Sequence, residues 1–149
     1  MIKKIDIKNP KLAEEVLSVQ LPSYQVEAEL IDCYDIPPLK DTISILQQCG
    51  ETFYGCYVAG ELGGVISIKV GEGLIDIHRL MVHPKHFRKG IAGKLLNFVE
   101  SNGDGTLIVS TGSKNAPAIY FYKKSGFVKT DEVEVMEGLS ITSFEKKRK

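Results

Sequence analysis

The stretch VHPKHFRKGIAGKLL, residues 82–96, decides the fold of this chain because it joins a strand to a helix. The β-rich run LIDIHRLMV ends at Val82, a short loop with Pro84 follows, and apolar residues at helical spacing begin after Gly90. Such a unit points unpaired backbone N–H groups, and the positive end of the helix dipole, at the space before the helix. We therefore expect an anion to bind there.

Small residues and basic side chains both favour an anion at this helix start. Gly90, Ala92 and Gly93 let a bulky phosphate approach the main chain, and Arg88 and Lys89 add positive charge. The simplest alternative is an ordinary helix start that happens to be basic. It is disfavoured because positive charge at a helix N-terminus opposes the dipole by about 0.3–1 kcal/mol, unless an anion is bound.

The residues of this stretch match two other kinds of site poorly. A nucleotide-binding P-loop needs GxxxxGK followed by Ser or Thr, but Arg88 stands where the first glycine is required and Leu95 where the hydroxyl is required. A metal site built from the three histidines of this region lacks acidic or cysteine ligands at a regular spacing, apart from Asp76. We therefore predict no metal.

The composition is typical of one globular domain over residues 1–149. The chain has 19 acidic and 19 basic side chains, so no overall positive charge favours nucleic acid, and a basic feature must act locally. The N-terminus has no apolar core of a signal peptide and no run reaches membrane-spanning length, which predicts a cytoplasmic protein without membrane contact. Three cysteines without a CxxC pair argue against disulfides.

The pattern of apolar residues predicts a mixed α/β sheet with helices on both faces. The expected order is a strand, two helices, three antiparallel strands, a helix, a strand, a helix and two strands. The first helix is predicted over residues 9–20, and residues 21–38 are predicted to form helix fragments and loop, since a Pro-Pro pair closes them. The terminal run EKKRK, residues 145–149, is expected to be a solvated tail.

Two motifs of the chain resemble those of the GNAT superfamily of N-acetyltransferases. Residues 80–96 resemble its acyl-CoA-binding motif, a strand that ends in valine, a nearby proline, and Gln/Arg-x-x-Gly-x-Gly/Ala, with Phe87 as the one departure. The segment NAPAIYFYKKSGF, residues 115–127, resembles the later signature Asn-x-x-Ala-x-x-x-Tyr-x-x-x-Gly-Phe. The specific resemblance covers roughly residues 63–127.

The resemblance implies a single-domain GNAT-like fold with a mostly antiparallel sheet of six to seven strands. Two neighbouring strands would splay apart to hold the cosubstrate acetyl-CoA. The main-chain N–H groups expected to hold its pyrophosphate belong to Arg88, Lys89, Gly90, Ile91, Ala92 and Gly93. The backbone groups expected to pair with its pantetheine arm belong to Leu80, Met81 and Val82. Asn115 would bind the arm or the acyl region.

The resemblance also implies acetyl transfer from acetyl-CoA to a primary amine, with Tyr122 as the general acid. Asn115 and Tyr122 are seven residues apart, about two helical turns, so both can reach the same cofactor from one helix face. The alternative for Tyr122 is an aromatic core residue. The alternative for the whole chain is a non-catalytic acyl-CoA-binding or regulatory domain.

The base that takes the proton of the amine has two candidates, Asp76 and His78. The two-residue period of a strand predicts that Asp76, His78, Leu80 and Val82 share one face. Some family members carry a catalytic Glu six residues before the valine that ends this strand, and Asp76 occupies that position here. His78 titrates nearer neutrality, and the plain alternative for both is a polar residue on a half-exposed strand.

The acceptor is expected to be a small-molecule or peptide amine. Four acidic residues lie in the region that covers the acceptor in this family, and they favour a cationic amine unless they only form a solvated helix face. They are Glu27, Glu29, Asp32 and Asp35. The chain is expected to act as a monomer or a homodimer.

Overall fold

The computed structural model describes residues 1–148, and Lys149 lies outside the described residues. Seven strands and four α-helices form in this part of the chain. In chain order they are β1 (Ile2–Ile5), α1 (Pro10–Ile31), α2 (Ile43–Gln48), β2 (Thr52–Val58), β3 (Glu61–Gly71), β4 (Leu74–Val82), α3 (Ile91–Ser101), β5 (Thr106–Gly112), α4 (Ala116–Lys124), β6 (Val128–Met136) and β7 (Leu139–Lys146). The predicted order of elements is confirmed.

The strands form one mixed sheet in the order β1-β2-β3-β4-β5-β7-β6. Every neighbouring pair is antiparallel except β4 and β5, which run parallel. Parallel neighbours need a crossover connection, and α3 supplies it between these two strands. The predicted α/β class, with a mostly antiparallel sheet of six to seven strands, is therefore confirmed.

The helices cover both faces of the sheet. Helix α1 packs on one face through Val16 and Val19, which belong to the same apolar cluster as Phe53 and Met81. Helix α3 packs on the other face through a set of buried residues that meets the inner side of β3, β4 and β5. These residues are Ile91, Leu95, Leu96 and Val99. Residues of β4 therefore contribute to both cores.

Helix α1 is longer than the sequence pattern indicated. Asn9 caps it, since its side chain accepts from the N–H groups of Lys11 at 2.9 Å and Leu12 at 3.3 Å. The helix then continues through Pro22 to Ile31, so the prediction of helix fragments and loop over residues 21–38 was wrong for residues 21–31, whereas residues 32–38 are loop and the start of a short 3-10 helix. An interior proline costs about 3 kcal/mol. Burial of each large apolar side chain on either side of it contributes about 1.5–3 kcal/mol, which outweighs that cost.

The C-terminal run is also more ordered than expected. Its first two residues belong to β7, and the Arg148 guanidinium donates from Nε to the carbonyl of Gly105 at 2.9 Å. Arg148 also donates to the carbonyls of Glu100 and Gly103. The expected solvated tail was therefore wrong for Glu145, Lys146 and Arg148, because two of them extend β7 and unpaired carbonyls after α3 offer acceptors to a guanidinium, whereas Lys147 is exposed.

Candidate active site

Strands β4 and β5 lie side by side for four residue pairs and then separate. Residues 74–77 pair with residues 106–109, whereas residues 78–82 and 110–112, all within the described part of the chain, do not pair with each other. A crevice of about 870 Å³ opens where the strands separate. Leu80 and Val82 line it from β4, and Thr111 and Gly112 line it from β5. The splayed strand pair lies next to the motif of residues 82–96.

The backbone of β4 offers hydrogen-bonding groups to this crevice. On the other edge of β4, the N–H of His83 donates to the carbonyl of Gly63 at 2.8 Å. Hydrogen-bonded and non-hydrogen-bonded pairs alternate along an antiparallel ladder, so Met81 exchanges its hydrogen bonds with β3. Leu80 and Val82 therefore direct their N–H and C=O groups at the crevice, and Met81 does not.

A β-bulge interrupts β4 at His78. Ser67 and Ile68 of β3 are adjacent in sequence and lie opposite Arg79 and Ile77, so His78 has no partner of its own on β3. A bulge adds one residue to one strand, bends that strand and increases its twist. The bulge therefore lies at the point where β4 leaves β5.

The bulge changes which side chains of β4 share a face. Leu80 and Val82 pack with the core under α3, whereas Asp76 lies next to the buried Ile77 and points to the opposite face. There, Asp76 Oδ2 is 3.2 Å from His78 Nε2, and a Glu51 carboxylate oxygen is 3.6 Å from His78 Nδ1. The prediction that Asp76, His78, Leu80 and Val82 share one face was wrong, because the extra residue breaks the two-residue period.

The N-terminus of α3 is open toward the crevice. Gly90 is its N-cap residue, at a φ of 74°, and provides no side-chain cap. Within residues 1–148, a Cβ added to Gly90 or Gly93 would meet no atom closer than 4 Å. The first N–H groups of the helix thus have no capping side chain, and Gly90, Ala92 and Gly93 line the crevice. Arg88 lines it too and adopts a left-handed φ of 63°.

His86 stabilises the loop before α3 through two side-chain contacts. Its Nδ1 is 3.0 Å from the Lys89 ammonium, and its Nε2 is 3.0 Å from a Glu61 carboxylate oxygen. Because an ammonium only donates, this network assigns the ring proton to Nε2, which donates to Glu61. Hydrogen bonds from Lys85 and His86 lower the pKa of Glu61 to about 2. The Lys89 ammonium thus donates a hydrogen bond within the loop.

Asn115 lies at the N-terminus of α4 and uses its side chain twice. Its Oδ1 accepts from the N–H of Ala118 at 3.2 Å, which caps the helix, and its Nδ2 donates to Glu27 Oε1 at 2.8 Å. Thr111 of β5 lies close enough to Glu27 to favour its charged form. The carboxylate of α1 is therefore hydrogen-bonded to the N-terminus of α4, and it lines the crevice.

Tyr122 follows two turns later on α4 and lines the same crevice. It is 6 % exposed, and its ring centroid lies 5.4 Å from that of Phe127 and 5.8 Å from that of Phe144. Burial and the nearby Glu27 carboxylate both raise the pKa of Tyr122. The phenol therefore keeps its proton at neutral pH, as a general acid requires.

The crevice has two chemically different ends. One end lies at the loop before α3 and includes Arg88 and Phe87. At the other end, the lining is apolar and comes from α1, the segment after it, and the β6–β7 hairpin. The apolar residues at this end are Val26, Leu30, Ile31, Ile36, Pro37, Pro38, Val135, Leu139 and Ile141. Glu27 is the one carboxylate among the crevice-lining residues of the described chain.

The segment that forms part of this apolar end is fixed by Arg79. The guanidinium donates to Asp41 at 2.8 Å and to Glu51, with all three side chains largely buried. Gln20 of α1 donates to the carbonyl of Pro38 at 2.9 Å and to Asp41 at 2.8 Å. Hydrogen bonds from Ser67 and Arg79, together with the Arg79 charge, lower the pKa of Glu51. This network holds the segment between α1 and α2 against the sheet.

Sequence reasoning did not identify Glu27 as different from the other acidic residues of α1 and the following segment. Glu29, Asp32 and Asp35 are exposed, whereas Glu27 is partly buried in the crevice. Glu27 lies three positions after Tyr24, which also lines the crevice, so the two share one helix face. The spacing of Tyr24 and Glu27 could have indicated that Glu27 faces the site. It is informative only if α1 continues past Pro22, which the sequence did not predict.

Within residues 1–148, no group of three or more His, Cys, Asp and Glu side chains has an arrangement that could hold a metal ion. None of the helices described in this range has the length together with the apolar character that crossing a bilayer requires.

Comparison with known proteins identifies the family. Residues 38–148 match the family model described as an acetyltransferase (GNAT) domain. The UPF0157 protein YqkA of Bacillus subtilis (strain 168) is 39% identical over 146 residues, which is 97% of this chain and 43% of YqkA. The chain therefore spans less than half the length of the curated relative that it matches.

Two solved structures of acetyltransferases share this fold. An acetyltransferase from Thermus thermophilus superposes with a TM-score of 0.79 at 19% identity, covering 99% of this chain and 97% of that one. The PaiA N-acetyltransferase of Thermoplasma acidophilum, solved in complex with coenzyme A, has a TM-score of 0.76 at 20% identity, covering 99% and 98%. At these identities the likeness establishes the fold.

Proposed function

Since this chain belongs to the GNAT family of acetyltransferase domains, we propose that it transfers an acetyl group from acetyl-CoA to a primary amine. The family membership covers residues 38–148 and supports an acyl-CoA-dependent transferase. The identity of the cosubstrate is supported by the PaiA structure, whose complex contains coenzyme A. We further propose that residues 1–149 form one such domain.

The observation that carries this proposal is the open backbone edge of β4 that leads to the uncapped N-terminus of α3. Leu80 and Val82 would pair with the amide groups of the pantetheine arm, as an added strand would. The N–H groups of residues 91–93 and the side chain of Arg88 would hold the pyrophosphate. The open space at Gly90 and Gly93 fits a diphosphate there, because no side chain occupies it.

Acetyl-CoA supplies the thioester that is attacked by the amine. Tyr122 would donate its phenolic proton to the sulfur that leaves, and its raised pKa keeps that proton available. Asn115 would hold the end of α4 in place through its cap, so that the Tyr122 hydroxyl stays at the crevice. This arrangement supports direct transfer without a covalent enzyme intermediate.

The sequence-based candidates for the base are Asp76 and His78. His78 lines the crevice, and its Nε2 lies 3.2 Å from Asp76 Oδ2. However, the second ring nitrogen faces Glu51 at 3.6 Å, so both nitrogens lie at carboxylates rather than at the crevice. The pair remains a proposal that pH–rate profiles can test.

Two measurements test the proposed function. Acetyl-CoA should raise the melting temperature in a thermal shift assay, because it binds only the folded chain. Release of free CoA in the presence of a panel of primary amines should then show turnover. Binding without release of CoA from any amine would favour the alternative, a non-catalytic acyl-CoA-binding domain. The absence of a shift at millimolar acetyl-CoA would contradict both.

A further inference from the structure

Glu27 occupies an unusual position for a carboxylate. It projects from α1 into the crevice near the point where β4 and β5 separate, where Asn115 donates a hydrogen bond to it from the opposite wall and Thr111 lies close to it. A buried carboxylate is costly unless it is hydrogen-bonded or paired with a cation. Its known partners in the chain are neutral donors. A positive charge is therefore the missing partner of this group.

The groups that face Glu27 are neutral or distant. Tyr24 and Tyr122 lie beside it, and burial together with the Glu27 charge raises the pKa of both phenols, so both are uncharged. His78 also lines the crevice, but its nitrogens lie at Asp76 and Glu51. Arg79 is used by Asp41 and Glu51. Burial also raises the pKa of Glu27, which suits a group that accepts a proton.

The surroundings of Glu27 restrict what can carry the positive charge. The end of the crevice beyond it is formed by aliphatic and proline side chains, and the residues of α1 and β7 there pack as one cluster. Ile36 is 6 % exposed and Leu139 9 % exposed in that cluster. A second charge on the acceptor would lose its hydration against this surface without gaining a partner.

We infer that Glu27 binds the ammonium group of the acceptor and takes its proton, and that the acceptor is a primary amine with an apolar substituent. The inference rests on the proposed function and names the substrate class of that site. The substituent would lie against Leu30, Ile36 and Leu139, which line the apolar end. An amine with a second cationic group, such as a polyamine, does not fit this end, although the four acidic residues favour a cationic acceptor.

The reaction balances with the groups present. The ammonium gives one proton to the Glu27 carboxylate, and the neutral nitrogen then attacks the thioester carbonyl, so that a C–N bond forms and the C–S bond breaks. Tyr122 gives its proton to the sulfur, and the second proton of the nitrogen returns to the Tyr122 oxygen. Glu27 finally releases its proton to solvent, and the products are the N-acetyl amine and CoA.

The test is ligand binding to the full chain loaded with CoA, which cannot react. Hexylamine and 1,4-diaminobutane are titrated by calorimetry against the wild type, Glu27→Gln and Glu29→Gln. Gln at position 27 keeps the acceptor for Asn115 and removes the charge, whereas Glu29 is an exposed carboxylate on the same helix. We expect hexylamine to bind the wild type and Glu29→Gln equally, and Glu27→Gln at least tenfold more weakly. All three should bind CoA alike.

The outcomes separate this inference from the proposed function. If the wild type does not bind CoA, the proposed function fails and the inference fails with it. If CoA binds but hexylamine does not, or Glu27→Gln binds hexylamine as the wild type does, the inference alone is overturned. Tighter binding of 1,4-diaminobutane than of hexylamine overturns the apolar substrate class.

A kinetic measurement distinguishes proton transfer from simple ammonium binding. With hexylamine as acceptor, the acid limb of the kcat/KM profile should disappear in Glu27→Gln and return, at reduced rate, in Glu27→Asp. An unchanged acid limb in Glu27→Gln shows that another group takes the proton and contradicts the assignment of the base to Glu27.

Discussion

The side-chain amide of Asn115 donates a 2.8 Å hydrogen bond to the carboxylate of Glu27, which lies 88 positions earlier in the chain. The bond joins the first helix to the last helix across the crevice between β4 and β5. It also gives Asn115 a role beyond capping, because the residue orients a charged group of the opposite wall.

Replacement of Tyr122 by Phe should lower kcat by about 100-fold or more, since general acid catalysis contributes about 10²–10⁴ in rate. The affinity for acetyl-CoA should stay within twofold of the wild type, because the ring packing against Phe127 and Phe144 is kept. Steady-state kinetics and calorimetry measure the two quantities. Tyr120→Phe is the matched control, since Tyr120 is 66 % exposed on the same helix. Equal kcat in both variants would remove Tyr122 from the mechanism.

Replacement of Gly93 by Leu should change stability and cofactor affinity in opposite directions. Leucine is a better helix former than glycine by about 0.5–1 kcal/mol, and the added side chain meets no atom in the described chain within 4 Å of its Cβ. The free energy of unfolding should therefore not fall. The affinity for CoA should drop at least tenfold, because the side chain fills space proposed for the pyrophosphate. Gly71→Leu, outside the crevice, should keep wild-type affinity.

The stability of the apo protein should depend on pH through Glu27. A carboxyl whose pKa is raised by folding destabilises the native state increasingly as pH rises from its unfolded pKa, about 4.3, to its folded pKa. Glu27→Gln has no ionisable group at this position and therefore does not lose stability in this way. Its melting temperature relative to the wild type should therefore increase with pH and level off at neutral pH. A difference that shrinks as pH rises would show that folding lowers the pKa of Glu27.

Replacement of Arg79 by Met should destabilise the protein by about 3–5 kcal/mol at pH 7, because it leaves Asp41 and Glu51 unpaired where both are largely buried. Arg79 lowers the pKa of Glu51, so this stabilisation is present above the unfolded pKa and is lost as pH falls through the folded one. The difference from the wild type should thus narrow in acid. Denaturant titration measures it, and Arg88→Met, at an exposed position, is the control.

Replacement of Asp76 by Asn or His78 by Ala should reduce kcat/KM less than tenfold and leave its acid limb in place. The reason is that both nitrogens of His78 lie at carboxylates, whereas Glu27 is the base that we propose. The pH–rate profiles of the two variants check this. A loss of 100-fold or more, together with the acid limb, would restore the Asp76–His78 pair as the base.

Local signals in the sequence were enough for most of the fold and for the open helix start at one end of the crevice. The spacing of Gly90 and Ala92 after the strand end, and of Asn115 and Tyr122 on one helix, depends on residues close in the chain. The continuation of α1 beyond Pro22 depends on tertiary packing that outweighs a local breaker. The apolar end was not predictable, because it brings together α1, the segment after it and the β6–β7 hairpin.

The bulge in β4 explains why even-numbered and odd-numbered residues change sides along one strand. Ile75 and Ile77 precede it, Leu80 and Val82 follow it, and all four face the core under α3. His78 is thus an additional residue in β4, and the residues before and after it still face the same core. A chain that lacks this one residue should still fold, but its β4 could run alongside β5 for longer, and the cleft would narrow or close. The capacity of the domain to admit a cosubstrate therefore depends on one additional residue rather than on a dedicated loop.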